Sequence, residues 1–395
     1  MIRNNTVEKK TTYHRIIGTF EGSKKGPTLI FVGGIHGNEP SGVMALQKAI
    51  QDLKPFASQF KGKMIALTGN IKALEAGVRF LEVDLNRQFT KDKLKSLQEK
   101  TPRQADLQEQ YELLMLLEQI LEVEEGPFYF FDLHTTSAET IPFLTINDSL
   151  LNRSFTKQYP LPIVLGIEEY LDGPLLSYIN ELGYVAFGFE GGQHQSRFAS
   201  ENHYSFIFLT LAFTGCLEKE AFNFSSEYQR LSAIAQRNQW FYEIIHRQEV
   251  PRQGTFSMEP GFHNFQRIHK RQLLAKINDC DSLAPYSGKI FMPLYQGKGE
   301  DGYFIIKRIP FIFLWLSRWL RNTKMDRILV WLPGVHWGDS NRQSLYVDKK
   351  IARFFTKEIF HLFGYRSKKI DQDHLVMKNR EAASRRNEYK RESWS

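Results

Sequence analysis

Two histidines and two carboxylates stand out by where they fall. His36 and Glu39 lie three residues apart in Gly33-Gly-Ile-His-Gly-Asn-Glu39. His134 follows Asp132 in Phe131-Asp-Leu-His-Thr-Thr136, and Glu190 sits in Phe189-Glu-Gly-Gly-Gln-His194. Two imidazole nitrogens and one carboxylate oxygen are a common catalytic zinc set, with a fourth position left for water. Bound zinc brings that water to a pKa of about 7 and polarises a substrate carbonyl. On this reading His36, Glu39 and His134 hold one Zn2+ per chain. His134 has to come from a distant part of the chain, because a short loop cannot fix the geometry of a third ligand. Asp132, on the same strand face, can accept the other ring N–H of His134 and fix its tautomer. A loop histidine, a helix-capping glutamate and a satisfied His–Asp core pair are the plain alternatives for each motif taken alone. Their occurrence together favours the metal.

Each constellation follows an apolar run: Thr28–Val32, Phe128–Phe131 and Tyr184–Phe189. In an open α/β sheet ligands bind beyond the carboxyl ends of strands, so three such ends deliver their side chains to one rim. TLIFVGG (28–34), GKMIALTGN (62–70), FYFFDLHTT (128–136), LPIVLG (161–166) and YVAFGFEGG (184–192) are the expected strands. VMALQKAIQDL (43–53), the run 107–126 and SYINELG (177–183) have helical spacing. Strands alternating with helices indicate an α/β fold with a mainly parallel or mixed sheet. A long helical region is expected from about 200 to 248. From Val250 the runs shorten and are broken by Gly and Pro, which indicates antiparallel β-structure. The expected organisation is a catalytic domain over 1–248, a β-rich accessory domain over 249–370 and a basic, flexible tail over 371–395. The glycines of 33–37 are expected to let the loop turn sharply enough for His36 and Glu39 to reach one ion.

Gly33-Gly34-Ile35-His36-Gly37-Asn38-Glu39, Asp84-Leu85-Asn86-Arg87-Gln88-Phe89, Asp132-Leu133-His134-Thr135-Thr136 and Glu190-Gly191 occur in the order seen in the succinylglutamate desuccinylase/aspartoacylase family. The sequence resembles that family over about residues 15 to 200, and more loosely over 250 to 310. The family belongs with the zinc carboxypeptidase-like hydrolases. The resemblance therefore implies a zinc-carboxypeptidase-like mixed sheet flanked by helices, with a smaller β-rich C-terminal domain that narrows access to the site. It implies zinc on His36, Glu39 and His134, Glu190 as general base and proton shuttle, and Asn86 with Arg87 facing a substrate carboxylate. Arg79 matches in spacing a second arginine that the family uses near the scissile carbonyl. The residue types suit these roles. A guanidinium fork matches a carboxylate, a carboxylate beside an activated water can pass its proton to a leaving amine, and a developing oxyanion needs a donor such as Arg79. A salt-bridge or structural role is the alternative for Arg79, Arg87 and Glu190. His194 departs from the pattern as an extra ionisable group. It joins Asn86 and Arg87 as a substrate-binding candidate, with a place on the rim as the alternative.

The totals bound the rest. At 395 residues the chain has room for two domains, and 42 % apolar with 13 % aromatic residues excludes disorder over most of its length. The net charge of +8 is partly local, since residues 366–395 carry nine Lys/Arg against five Asp/Glu. A solvated tail is the expectation, and nucleic-acid binding through it the alternative. Two distant cysteines without a CxxC argue against a disulfide framework and a thiolate zinc cluster. MIRNNTVEKK contains no apolar h-region, so a soluble, cytoplasmic protein is expected. The longest apolar run, IPFIFLWLSRWL (309–320), is too short to span a bilayer. No membrane partner is expected. The run reads as a buried strand or helix, or as an interfacial patch. Beyond 310 core packing of an added element is expected, with a subunit contact, such as a homodimer, as the alternative. The expected function is zinc-dependent hydrolysis of the amide bond of a small N-acyl amino acid, an aspartoacylase/succinylglutamate desuccinylase-like deacylation. A metallocarboxypeptidase acting on peptides or modified peptide tails is the alternative, because the same metal chemistry serves both. A non-enzymatic binding protein that keeps the fold is a further rival.

Overall fold

The computed structural model describes residues 12–99, 102–323, 325–348, 357–369 and 374–394. The N-terminal stretch read for a leader lies outside the described residues. The strands in chain order are β1 (Ile16–Glu21), β2 (Lys24–Gly33), β3 (Lys61–Thr68), β4 (Phe128–Thr136), β5 (Phe143–Ile146), β6 (Ile163–Leu165), β7 (Val185–Gln193), β8 (Phe241–Glu249), β9 (Phe256–Met258), β10 (Arg267–Ile268), β11 (Leu273–Ile277), β12 (Cys280–Leu283), β13 (Gly288–Phe291), β14 (Asp301–Arg308), β15 (Val335–Trp337), β16 (Ser344–Asp348), β17 (Tyr365–Lys369) and β18 (His374–Asn379). The helices are α1 (Ser41–Asp52), α2 (Ile71–Ala76), α3 (Lys91–Glu99), α4 (Ala105–Val123), α5 (Leu150–Thr156), α6 (Leu175–Glu181), α7 (Ala199–Phe213), α8 (Phe224–Ile234), α9 (Phe311–Asn322) and α10 (Lys357–Leu362).

Eleven strands form one mixed sheet in the order β1-β3-β2-β4-β7-β5-β6-β8-β14-β13-β10. Its centre, β3-β2-β4-β7, is parallel. Parallel strands are buried on both faces, and these sequences show why they settle there. Successive side chains of a strand point to opposite faces. Leu29 and Phe31 of β2, with Tyr129 and Phe131 of β4, join α1 and α7 in one core. Ile30 and Val32, with Phe128 and Phe130, join α4 and α6 in the other. Burying one such phenylalanine contributes about 1.5–3 kcal/mol. The expected strands and the helices at α1, α4 and α6 are all present. This is the expected α/β architecture, a large mixed sheet flanked by helices with a separate small β-rich sheet (β15-β16-β18-β17) nearer the C-terminus.

Two readings need correction. The long helix expected to 248 ends early. After α7 and α8, Phe241–Glu249 forms the strand β8, parallel to β6 and antiparallel to β14. The Phe-Tyr-Glu-Ile-Ile run suits strand and helix alike, and pairing on both sides decides for the strand. The sheet thus continues past the expected boundary at 248 into β14, β13 and β10, while β12-β11-β9 form a separate three-stranded sheet. The second correction concerns the flexible tail. Its described residues are folded: β18 pairs with β16 and β17, and Tyr389 and Trp394 are buried against Tyr129. The reason is aromatic burial, which the charge count of the tail masked.

The C-terminal sheet is also held by buried charge. Asp148 accepts from Arg153 Nη2 at 2.8 Å, Arg321 Nη2 at 2.9 Å and Arg380 Nη1 at 2.7 Å. Arg380 also meets Glu168 at 3.2 Å and pairs with Glu169, which lies 2.9 Å from His361 Nε2. Arg321 reaches Glu381 at 3.2 Å.

Candidate metal centre and active site

The rim at the carboxyl ends of β2, β4 and β7 carries the predicted ligands. The β2 loop turns at Gly34, whose φ of +69° disfavours any other residue. It then passes so close to α2 that a Cβ on Gly37 would lie 2.0 Å from the carbonyl carbon of Ala73. This places His36 and Glu39 beside the end of β4. His36 Nδ1 lies 2.9 Å from Glu39 Oε1, and His134 Nδ1 lies 3.2 Å from Glu39 Oε2. The backbone N–H of Thr135 donates to the same Oε2 at 2.8 Å. The ligand atoms of His36, Glu39 and His134 lie within 4.8 Å of one another.

Each imidazole is anchored at its far nitrogen by a carboxylate. His134 Nε2 lies 2.7 Å from Asp132 Oδ2, the pair expected from the sequence. His36 Nε2 lies 3.2 Å from Asp84 Oδ1, which the sequence reading passed over. Asp84 also accepts from Arg79 Nη2 at 3.2 Å and from the N–H of Asn86 at 3.0 Å. The loop bearing it is shaped by Asp106, in the first turn of α4. This buried carboxylate gathers the N–H groups of Leu81, Glu82 and Val83 at 3.1, 2.7 and 3.0 Å, and the Asn70 amide at 2.7 Å. The acidic residue within the Asp84–Phe89 motif was the available signal for Asp84. Nothing local marked Asp106.

The donor set fits zinc. Ligands at about 2.0–2.1 Å from a tetrahedral ion stand about 3.4 Å apart, near the spacings of His36 and His134 to Glu39. Charge points the same way. Burial works against the Glu39 anion, yet His36 and His134 hold its carboxyl well below the usual range. Burial likewise opposes charge on His134, but Asp132 and Glu39 outweigh it and raise its pKa well above normal. A dication would replace the proton that these carboxylates call for.

Glu190 sits opposite His134 in the β4–β7 register and is buried. Burial, relieved in part by His134 and reinforced by Glu39 and Asp132, pushes its carboxyl up to about 8. Its Oε2 has no hydrogen-bond partner. Glu190 lines a cavity of about 100 Å³ together with His36, Glu39, Arg79, Asn86, Arg87 and His134. Seven of the eight predicted site residues therefore share one space. His194 does not line it. Its Nδ1 lies 2.7 Å from Thr135 Oγ1 and its Nε2 lies 3.2 Å from Gln296 Oε1, in a neighbouring groove. Arg79 is also 3.7 Å from Glu39. Asn86 Oδ1 accepts from the N–H of Leu175 at 2.9 Å, and Asn86 is one of the residues lining the cavity. Arg87 donates to Asp301 at 3.2 Å, and Arg247 holds the other oxygen of Asp301 at 2.6 Å.

The connection from β13 to β14 roofs the rim. Met292 lines the cavity. Gln296 bonds Asn38 and His194, at 3.1 and 3.2 Å. The N–H of Tyr295 donates to Ser137 at 3.2 Å, and Lys298 to the carbonyl of Phe80 at 3.0 Å. One segment is thus stitched to the loops that follow β2, β4 and β7.

Comparison with known proteins agrees with this geometry. Residues 25–211 match the family model described as "Succinylglutamate desuccinylase/Aspartoacylase catalytic domain". A succinylglutamate desuccinylase of Pseudomonas fluorescens is 29 % identical over 89 residues, covering 22 % of this chain and 27 % of that protein. A probable aspartoacylase of Nostoc is 38 % identical over 65 residues, covering 16 % and 22 %. The matched segments thus span about a quarter of these relatives or less. A succinylglutamatedesuccinylase/aspartoacylase structure from Rhodobacter sphaeroides has a TM-score of 0.54 at 17 % identity, covering 74 % of this chain and 88 % of the other. A structure from Vibrio parahaemolyticus described as "succinylglutamate desuccinalase" has a TM-score of 0.52 at 13 % identity, covering 76 % and 97 %. At these identities the structures establish the likeness of fold, and the family rests on the catalytic segment. Over residues 25–211, just under half of the chain, the protein is thus similar to the succinylglutamate desuccinylase/aspartoacylase catalytic-domain family.

Proposed function

We propose that the protein is a zinc-dependent amidohydrolase that removes the acyl group from a small N-acyl amino acid. The observation that carries this reading is one buried space lined by two carboxylate-anchored histidines, Glu39 and a buried, unpaired Glu190. His36, Glu39 and His134 would hold the zinc, which when bound acidifies a water and polarises a carbonyl. Glu190 takes the proton of the attacking water at a carboxylate oxygen and returns it to the leaving amine nitrogen. Arg79 is pinned by Asp84 so that its remaining N–H groups face the carbonyl oxygen as charge develops there. Asn86 and Arg87 orient a substrate carboxylate at the opposite wall. The roof from Met292 to Asp301 favours short substrates by limiting what enters. The proposed setting is the cytoplasm, with a free small molecule as substrate.

The test is metal content of purified wild type and His36→Ala, with amine release from N-acetyl, N-succinyl and N-formyl amino acids and from short peptides. One zinc per chain, lost in the variant together with activity on an acyl amino acid, is expected. Release from peptides alone would replace the reading with a carboxypeptidase. Wild type without metal or activity would overturn it.

A further inference from the structure

Helix α9 turns two polar side chains inward beside the buried Leu320 and the partly buried Leu314 and Leu316. Ser317 and Arg321 face inward, only 2 % and 9 % exposed. Ser317 donates to the carbonyl of Leu362 at 2.9 Å, and Arg321 donates to Asp148 and to the carbonyl of His361. The outer stripe is apolar. Phe311, Ile312, Trp315 and Trp319 are 76, 65, 57 and 47 % exposed. Positions 311, 315 and 319 recur every four residues and so share a face. Ile328 and Trp331 are exposed in the turn that follows, Trp331 by 83 %. A surface helix ordinarily turns its apolar stripe inward and its charges to water.

The surroundings are basic. Lys307, Arg308, Arg318 and Arg327 are exposed. Between residues 302 and 338 the sequence holds six Lys/Arg and a single carboxylate, Asp326. Asp326 is half-buried and accepts from Tyr365 Oη at 2.8 Å. This stretch presents aromatic rings and positive charge, with no exposed acid of its own.

We propose that this face docks on an anionic lipid surface, with α9 lying flat at headgroup level. Tryptophan is favoured at the membrane–water boundary. A helix with aromatic residues on one side and basic residues beside them lies in that plane. Apolar insertion and basic attraction are the two signals that reversible attachment needs, and both occur here. At 12 residues α9 is too short to cross a bilayer, and no described helix is long and apolar enough to do so. The length of the run argued against spanning, and spanning is not what lying flat requires. A second copy fits less well, because a two-fold contact would set this basic patch against itself.

The test uses the full chain sedimented with vesicles of phosphatidylcholine alone, or of equal parts phosphatidylcholine and phosphatidylserine. Binding to the anionic vesicles only is expected, with a blue shift of tryptophan emission and release by high salt. The double variant Trp315→Ser/Trp319→Ser should weaken binding at least about tenfold, and Arg318→Glu/Arg327→Glu should remove its salt dependence. Circular dichroism and metal content of both variants should match wild type, since all four residues are exposed. No binding to either vesicle, or equal binding by the variants, overturns the proposal. Tryptophans shielded from acrylamide in the lipid-free chain would also overturn it, by showing the face covered from within. A concentration-dependent dimer that Trp315→Ser/Trp319→Ser dissolves, without vesicle binding, would assign the face to a second copy instead.

Discussion

The protein buries two dense clusters of charge, and they differ in what they leave unmatched. Around Asp148, four carboxylates (Asp148, Glu168, Glu169 and Glu381) meet three arginines (Arg153, Arg321 and Arg380) and His361. At the rim, Glu39, Asp84, Asp132 and Glu190 face Arg79, two imidazoles and Arg87, whose charge is shared with a fifth carboxylate, Asp301. Burying an ion carries a desolvation cost that only a well-placed partner offsets. The first cluster pairs its charges with one another and staples the C-terminal sheet to the main one, with clefts of about 320 and 290 Å³ beside it. The second is short of positive charge and opens onto a cavity. Both clusters border open space, so the surplus of one sign, and not the space, marks the ligand site.

Glu190→Gln should break this contrast most sharply. Its kcat should fall about 10²- to 10⁴-fold while zinc content stays at the wild-type value. Loss of zinc along with activity would make Glu190 a ligand rather than a proton carrier. At the other cluster Asp148→Asn leaves three arginines without their shared anion. It should cost about 3–5 kcal/mol in urea unfolding, with kcat of the folded protein unchanged.

Acidity sharpens the same comparison. Burial opposes the Asp148 charge, but Arg153, Arg321 and Arg380 hold its carboxyl well below the usual range. In the unfolded chain it titrates near about 3.9. Its contribution is therefore complete at neutral pH and is lost as pH falls below about 4 towards the folded value. Wild type should lose stability steeply there. Asp148→Asn, weaker at pH 7, should decline less steeply over the same range. Equal slopes would show that Asp148 is not the group responsible.

Asp132→Asn is a smaller perturbation. It keeps the shape of the anchor on His134 and removes its charge, so zinc affinity should drop about 10- to 100-fold in a chelator competition. Asp84→Asn should do the same through His36. The smallest effect is expected from Gln296→Ala, which removes two bonds that hold the roof. A lost hydrogen bond of about 0.5–1.5 kcal/mol should raise KM a few-fold and leave kcat nearly unchanged. An unchanged KM would mean that the roof does not gate entry.

How much of this was legible depended on distance along the chain. The three rim strands announce themselves through apolar runs that stop at His, Glu or Gly, and the His36–Glu39–His134 set follows from that pattern. Asp132 is two residues from His134, within reach of periodicity arguments. Asp84 was within a quoted motif, yet its role needs a contact with His36 some fifty residues away. Gln296 belongs to a loop, and Asp301 to the start of β14, whose place over the rim is set by the pairing of β14 with β8, and no local signal foretells it. β8 itself was hidden because its aromatic and aliphatic residues satisfy either period. The apolar run of α9 was read as a buried strand or helix, with an interfacial patch as the alternative. Only the packing shows that Ser317 and Arg321 face in beside Leu320 while the rings of Phe311, Trp315 and Trp319 stay outside.

Tyr389 has a consequence for how the chain comes to be folded. Its hydroxyl donates to the carbonyl of Phe128 and accepts from the N–H of Val185, and Trp394 donates to Tyr129 Oη at 3.2 Å. These partners lie in β4 and at the start of β7, more than 200 residues earlier. The central strands are therefore translated long before the groups that finish their core. Contacts of such separation are slow to close, and partly assembled sheets are prone to stick to one another. A chain stopped at residue 211 would carry every candidate metal ligand and lack the wedge that seals the strands bearing them. Synthesis order, rather than chemistry, would set the limit on how small a working version of this protein can be.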